Sequence, residues 1–257
     1  MRFMKGFGTM AEYKTFIVHL QRATGRKAQV QDLVSKAPYE TQIIDAVDGA
    51  KLSKAEVDTC YRVKPLMQPK YPFALNLGEI GCFLSHRKVW QQIVDQGLDG
   101  GLIFEDDVEI DIVEFTRALA LATAHVQELG YIQFQVREVL DLNTVFAQDK
   151  NVQIVQPIVT PLRTSAQLVS AGAAQELLEL TERFDRPIDG VLQLYWETGL
   201  QLSCVVPSGV SDRTAATGGS TVSSKQPLSK KLGRELKRYR YKTQIKKYSK
   251  RTAGAIG

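Results

Sequence analysis

Three consecutive carboxylates, Glu105-Asp106-Asp107, directly follow the short apolar run Gly101-Leu102-Ile103-Phe104. A run of this kind reads as a strand buried on both faces, and in open α/β sheets the ligand crevice lies beyond the carboxyl ends of such strands. Side chains alternate along an extended chain, so Glu105 and Asp107 share one face and Asp106 points to the other. Two hard oxygen donors one side-chain spacing apart suit Mg²⁺ or Mn²⁺, which a pyrophosphate would then co-ligate. On the acid run alone a solvated turn competes with this reading, and the elements around it must decide.

Those elements alternate between strand and helix patterns, which indicates an α/β layer fold. Residues 13–20 and 41–47 are rich in β-formers and read as strands. Thr24 could cap a helix continuing through Val34, residues 52–62 have a helical pattern, and the three prolines in residues 64–73 mark a loop. Leu77, Ile80, Leu84, Val89 and Ile93 predict a helix over residues 77–95, broken by the glycines of residues 97–101. A second long helix is expected over 112–129, strands over 131–136 and 152–159, and a helix over 171–183. A turn at 185–190, a helix over 191–197 and a strand over 200–206 complete the body.

The 257 residues, 44% hydrophobic, can bury a substantial core. No stretch approaches the roughly 18 uninterrupted apolar residues a membrane span requires. Cys60, Cys82 and Cys204 are odd in number and scattered, which argues against a disulfide framework or a thiolate zinc site and fits a reducing cytosol. The net charge of +5 conceals two opposite parts: residues 225–251 hold 12 Lys and Arg against Glu235 alone, so the rest of the chain is net acidic. The expected organisation is an N-terminal extension over 1–12, a body over 13–210, a flexible Ser/Thr/Gly loop over 211–224 and a basic amphipathic tail over 225–257.

The segment Gly78-Glu79-Ile80-Gly81-Cys82-Phe83-Leu84-Ser85-His86, then Trp90, then Ile103-Phe104-Glu105-Asp106-Asp107, resembles the signature of glycosyltransferase family 25. That family includes bacterial lipooligosaccharide galactosyltransferases and the collagen galactosyltransferases. Val18-His19-Leu20 with Arg22 and Arg26 is similar to the family's opening strand and arginines, with His19 where Asn is usual. Ala46-Val47-Asp48-Gly49, Gly172-Ala173 and Pro187-Ile188-Asp189 extend the resemblance, which runs from about Tyr13 to Pro207.

The resemblance implies a GT-A-type, Rossmann-like nucleotide-sugar-binding fold with a mixed central sheet. It also implies an inverting, metal-dependent transfer of a sugar, with galactose from UDP-galactose the family-weighted donor, onto lipooligosaccharide or lipopolysaccharide core. Glu105-Asp106-Asp107 would take the place of the DxD motif, with Glu105 and Asp107 the metal residues and Glu105 and Asp106 at the donor. Arg22, Asp48, Glu79 and His86 fall near the donor pocket. Arg26 reads better as a surface salt bridge, and His19 and His125 receive no role. An acceptor hydroxyl must lose its proton, so a base is required. Asp189 is the candidate, though Asp ahead of a helix is equally an N-cap. Glu197 in Tyr195-Trp196-Glu197 is the reserve, with Trp196 able to stack on a sugar face.

In the tail, Leu228, Leu232, Leu236 and Tyr239 follow helical spacing among Lys and Arg. A basic amphipathic helix reads as a membrane-surface element, with a disordered tail as the alternative and nucleic acid disfavoured. The thin apolar stripe and dense charge predict a tail that does not pack on the body. The localisation implied is cytoplasmic, peripheral on the inner membrane of a Gram-negative bacterium. A metal-dependent phosphoesterase and a non-catalytic glycosylation scaffold are the competing classes.

Overall fold

The computed structural model describes residues 11–137, 139, 142–213 and 231–256. The expected extension over 1–12 and flexible loop over 211–224 lie almost wholly outside the described residues, as do the first residues of the tail, Leu228 among them.

An eight-stranded mixed sheet forms the centre, in the spatial order β2 (Thr41–Asp45), β1 (Tyr13–His19), β3 (Gly100–Glu105), β8 (Ala166–Ser170), β5 (Tyr131–Phe134), β9 (Ser203–Val206), β7 (Val152–Pro157) and β6 (Leu142–Asp149). β1 runs parallel to both β2 and β3, whereas β8 is antiparallel to its neighbours β3 and β5. The α/β expectation with a mixed sheet is met. β6 and the small antiparallel pair of β4 (Val108–Ile110) with β10 (Val210–Asp212) have no counterpart in the sequence reading. At three residues each, β4 and β10 are too short to show a pattern of their own.

Alternation along the strands feeds two cores. Phe16, Val18 and Ile103 face α3 (Leu77–Asp95) and α5 (Ala171–Leu180), where Ile80, Phe83, Trp90, Ile93 and Leu177 are buried. Ile17, Leu102 and Phe104 face the opposite layer, α1 (Lys27–Lys36) and α4 (Ile112–Leu129), with Leu33, Phe115, Ala122 and Val126. The predicted limits of α3 and α4 coincide with the observed ones because each has a built start. Asn76 and Glu79 form a reciprocal capping box on α3, and Asp111 accepts from Val113 N and Glu114 N on α4.

Two glycines explain how α3 reaches the end of β2. A Cβ on Gly81 would lie 2.6 Å from Val47 O, and one on Gly49 would lie 1.8 Å from Leu77 O. The backbones touch there, and Ser85 Oγ fastens them by accepting from Val47 N at 2.8 Å while donating to Gly81 O at 2.7 Å.

Elsewhere the elements differ from expectation. Thr24 opens a short 3-10 turn without a side-chain cap, and the helix starts only at Lys27. A separate helix, α2, covers only Lys54–Cys60. The expected helix over 191–197 is two short ones, α6 (Ile188–Leu192) and α7 (Tyr195–Thr198), because Leu194 leaves helical geometry between them.

The tail is the largest departure. Its helix, α8 (Lys231–Ile256), packs on the body. Ile245 and Ser249 are buried, Tyr195 Oη donates to Ser249 O at 2.6 Å, and Tyr248 stacks on Trp196 with centroids 5.5 Å apart. The face that docks is Tyr241, Ile245, Tyr248 and Ser249, a helical i, i+4, i+7, i+8 stripe. Leu236 and Tyr239, members of the stripe expected to be apolar, are 51% and 69% exposed.

Candidate active site

The carboxyl ends of β1, β2 and β3 open into a cleft of about 950 Å³, closed on its far side by α6 and α8. Glu105, Asp106, Asp107 and Asp189 all line it.

Glu105 is held at the end of β3 by two donors. Thr164 Oγ1 donates to its Oε1 at 2.7 Å, and His86 Nε2 lies 3.1 Å from the same oxygen. The Gln167 amide donates to His86 Nδ1 at 3.1 Å and to Thr164 O at 3.0 Å, which leaves the ring proton on Nε2, aimed at Glu105. Burial pushes Glu105 upward, but the hydrogen bond and electrostatic pull of His86, then Thr164 and the charge of Arg163, outweigh it. Its carboxyl titrates below the usual range. His86, fully buried in α3, therefore positions a carboxylate.

Asp106 turns the other way, as alternation requires, and is buried in an ion-paired cluster. Its Oδ2 lies 2.7 Å from His19 Nδ1, and its Oδ1 accepts from Arg26 Nη1. Arg26 is itself 6% exposed and lies 3.3 Å from Asp107 Oδ2. This bears on three expectations. Asp106, expected at the donor, lines the cleft while its carboxylate also ties the β1 and β3 ends together. Arg26 makes a buried pair rather than a surface one. His19, left without a role, is a partner of the acid run 87 residues away.

The remaining residues read from sequence fall into two sets. Arg22 lines the cleft with a largely exposed side chain, and its Nε donates to Asp48 at 2.9 Å. Desolvation acts upward on Asp48, but the bonds from Arg22 and Ala50 N prevail and hold its carboxyl below the ordinary value. Glu79 lines the cleft while completing the cap of α3. Glu197 does not reach the cleft: it is exposed, accepting from Gln68 N at 3.0 Å, while Trp196 Nε1 donates to Gln68 O at 2.9 Å. With its ring on Tyr248, Trp196 clamps a loop and α8 rather than a sugar.

Asp189 lies in the first turn of α6, with Pro187 at the N-cap position, so capping does not explain it. Burial pushes its carboxyl up. Bonds from the backbone N–H groups of Gly190 and Arg163 oppose this, while Glu105 and Glu79 add to it, and the net shift is upward. A half-buried carboxylate whose affinity for a proton is raised is suited to general-base work.

Could the site hold a cation? Among the described residues, ligand-capable atoms of Cys82, His86 and Glu105 lie within 4.8 Å of one another. Burial, then the charges of Glu105, Asp189 and Asp107, push the Cys82 thiol far up, so it stays protonated and is a poor ligand. The oxygen donors of Glu105 and Asp107 fit a hard divalent ion better. Residues that sequence reasoning missed include Cys82, Arg163, Thr164 and the α8 side chains Arg234, Arg238, Tyr241, Lys242 and Lys246. The spacing of Tyr241, Ile245 and Tyr248 was the available signal for α8.

Residues 12–192 match the family model described as glycosyltransferase family 25 (LPS biosynthesis protein). The chain is similar to procollagen galactosyltransferase 1 of Danio rerio, 30% identical over 147 residues, covering 56% of this chain and 22% of that protein. It is also similar to the inactive glycosyltransferase 25 family member 3 of Mus musculus, 33% identical over 106 residues, covering 40% of this chain and 18% of that one. The matches thus span about a fifth of the length of these curated relatives. Among solved structures, a glycosyltransferase involved in glycosylation of the major capsid of PBCV-1 aligns with a TM-score of 0.33 and 12% identity over 71% of this chain and 66% of that one.

Proposed function

The chain belongs to glycosyltransferase family 25, and from that premise we propose that it is an inverting, metal-dependent glycosyltransferase. It moves a sugar, galactose being the family-weighted choice, from a UDP-sugar onto lipooligosaccharide or lipopolysaccharide core. The observation that carries this reading is the meeting, in one cleft, of the Glu105–Asp107 oxygen donors with a half-buried Asp189 of raised proton affinity.

In this reading the β1 and β2 ends, with Arg22, hold the nucleoside, and Glu105 and Asp107 would hold a Mn²⁺ or Mg²⁺ ion. The cation, when bound, neutralises charge developing on the diphosphate leaving group. Asp189 takes the proton of an acceptor hydroxyl as its oxygen attacks the anomeric carbon from the face opposite the departing UDP. One displacement inverts the centre. His86 and Thr164 keep Glu105 ionised and oriented, and Arg26 with His19 fixes the backbone from which Asp107 projects.

The test is Asp107→Asn assayed with UDP-galactose, Mn²⁺ and a core oligosaccharide acceptor. Most turnover and most Mn²⁺-dependent UDP affinity should be lost with the fold retained. Full activity in EDTA sinks the metal assignment. A phosphoesterase would instead hydrolyse the donor without acceptor stimulation, and a scaffold would bind UDP without turnover.

No described helix is long and apolar enough to cross a membrane. The outward face of α8, where Lys237, Arg240, Lys247 and Lys250 are exposed beside Leu236 and Tyr239, supports peripheral docking on an anionic inner-membrane surface. Each such base contributes about 1 kcal/mol near anionic lipid. Flotation with anionic vesicles that fades as salt rises would bear this out, and no flotation at low salt would end it.

A further inference from the structure

The inward face of α8 is a separate feature. Arg234, Arg238, Lys242 and Lys246 recur at every fourth residue, and all line the cleft. At 1.5 Å per residue the row extends about 18 Å along the wall. Its position is fixed from beneath. Arg186, fully buried, donates to Tyr241 Oη at 3.2 Å and to Met67 O at 2.8 Å, and is paired with Asp185 at 2.7 Å. Ile245 is buried, and Tyr248 and Ser249 are tied to α7. The row is therefore a built wall rather than the edge of a loose tail.

Like charges four residues apart on a helix repel one another, so the row costs stability unless something anionic offsets it. Protein groups also engage it: Arg238 bonds Glu235, Arg234 stands over Phe73 at 5.0 Å, and Lys246 has an interaction of its own.

Which substrate, then, meets this wall? The nucleoside end of the cleft is at β1 and β2, where Arg22 and Gly49 stand. The row stands on α8, which Tyr248 and Ser249 tie to α7 and whose Tyr241 feels the charge of Asp189. We propose that it is a subsite for an anionic acceptor, binding a phosphate group on the acceptor glycan while a neighbouring hydroxyl is presented to Asp189. The inference rests on the transferase reading for the identity of the base, but its binding test does not.

The full chain, saturated with UDP and Mn²⁺, is titrated with glucose 6-phosphate and with glucose, for the wild type and for Arg238→Ala/Lys242→Ala. UDP affinity is measured separately for both proteins. The phosphorylated sugar should bind about 10-fold tighter or more than glucose. The double variant should erase that difference while shifting UDP affinity by about 2-fold at most, as removal of charge-assisted bonds to one ligand requires. Arg238→Lys/Lys242→Arg should restore it. Equal binding of the two sugars by the wild type overturns the proposal. So does a variant that weakens UDP instead, because the row would then serve the donor diphosphate. Should the alanine variant unfold, salt titration of the wild type decides: the phosphate preference must collapse as ionic strength rises, and a preference insensitive to salt refutes a cationic subsite. A wild type that discriminates the sugars but neither binds UDP nor transfers would fail the transferase reading alone. One that transfers without discriminating would fail the subsite alone.

Discussion

Asp106 at the end of β3 and Asp189 in the first turn of α6 are the same side chain at one cleft, Asp106 buried and Asp189 half-buried, and the structure gives them opposite conditions. Asp106 has a guanidinium and an imidazole on its two oxygens. Asp189 has only backbone N–H donors, with Glu105 and Glu79 repelling its charge. Burial raises the cost of a carboxylate's charge in both places, and the partners decide whether that cost is cancelled or left standing. A cancelled charge holds strands together, while an uncancelled one is available for proton transfer.

The largest expected effect comes from removing the uncancelled charge. Asp189→Asn should lower kcat by about two to four orders of magnitude with donor binding nearly unchanged, read by initial rates and UDP titration. The folded protein holds a proton on Asp189 more tightly than the unfolded chain does, so this ionisation loses stability as pH rises through the raised pKa. Asp189→Asn should therefore melt at or above the wild-type temperature at neutral pH. A variant that is less stable but keeps its kcat would reverse the assignment.

Next in size is the cancelled pair. Arg26→Ala strands Asp106 against His19 alone and should cost about 3–5 kcal/mol in denaturant unfolding, the range for breaking one side of a buried pair. A loss under about 1 kcal/mol would mean that Asp106 is solvated and the contrast with Asp189 is false.

The pH profile sharpens the comparison further. A base must be ionised, so kcat/KM should fall as pH drops through the Asp189 pKa, with a midpoint above the ordinary Asp value of about 3.9. Glu105, shifted down, should lose its charge only below the ordinary glutamate value. An acid limb at or below the ordinary value would contradict the raised affinity of Asp189. The smallest effect is expected at the third carboxylate: Glu197→Gln, outside the cleft, should change kcat by about 2-fold or less. A larger loss in a steady-state assay would return it to the machinery.

The elements that were legible carried local signals. α3 announced itself through the period of Ile80, Leu84 and Ile93, and β3 through an unbroken apolar run ending in acids. The residues at the carboxylate wall followed, since alternation alone puts Asp106 on a different face from Glu105 and Asp107. The basic tail was misjudged because twelve cations drown a four-residue docking stripe in any measure of average polarity. The break between α6 and α7 was invisible because apolar residues run through it.

The sequence by itself determined which side chains are the candidates for chemistry: an acid run after a buried strand and a carboxylate behind Pro187. Periodicity and backbone sterics act over a few residues, so they can be read there. Only the tertiary structure decided what those groups became. The partners of Asp106 come from 80 and 87 residues away, and the wall facing Asp189 comes from a helix beginning 42 residues after it. Charge and desolvation act through space, so the electrostatic role of each carboxylate exists only once the chain has closed around it.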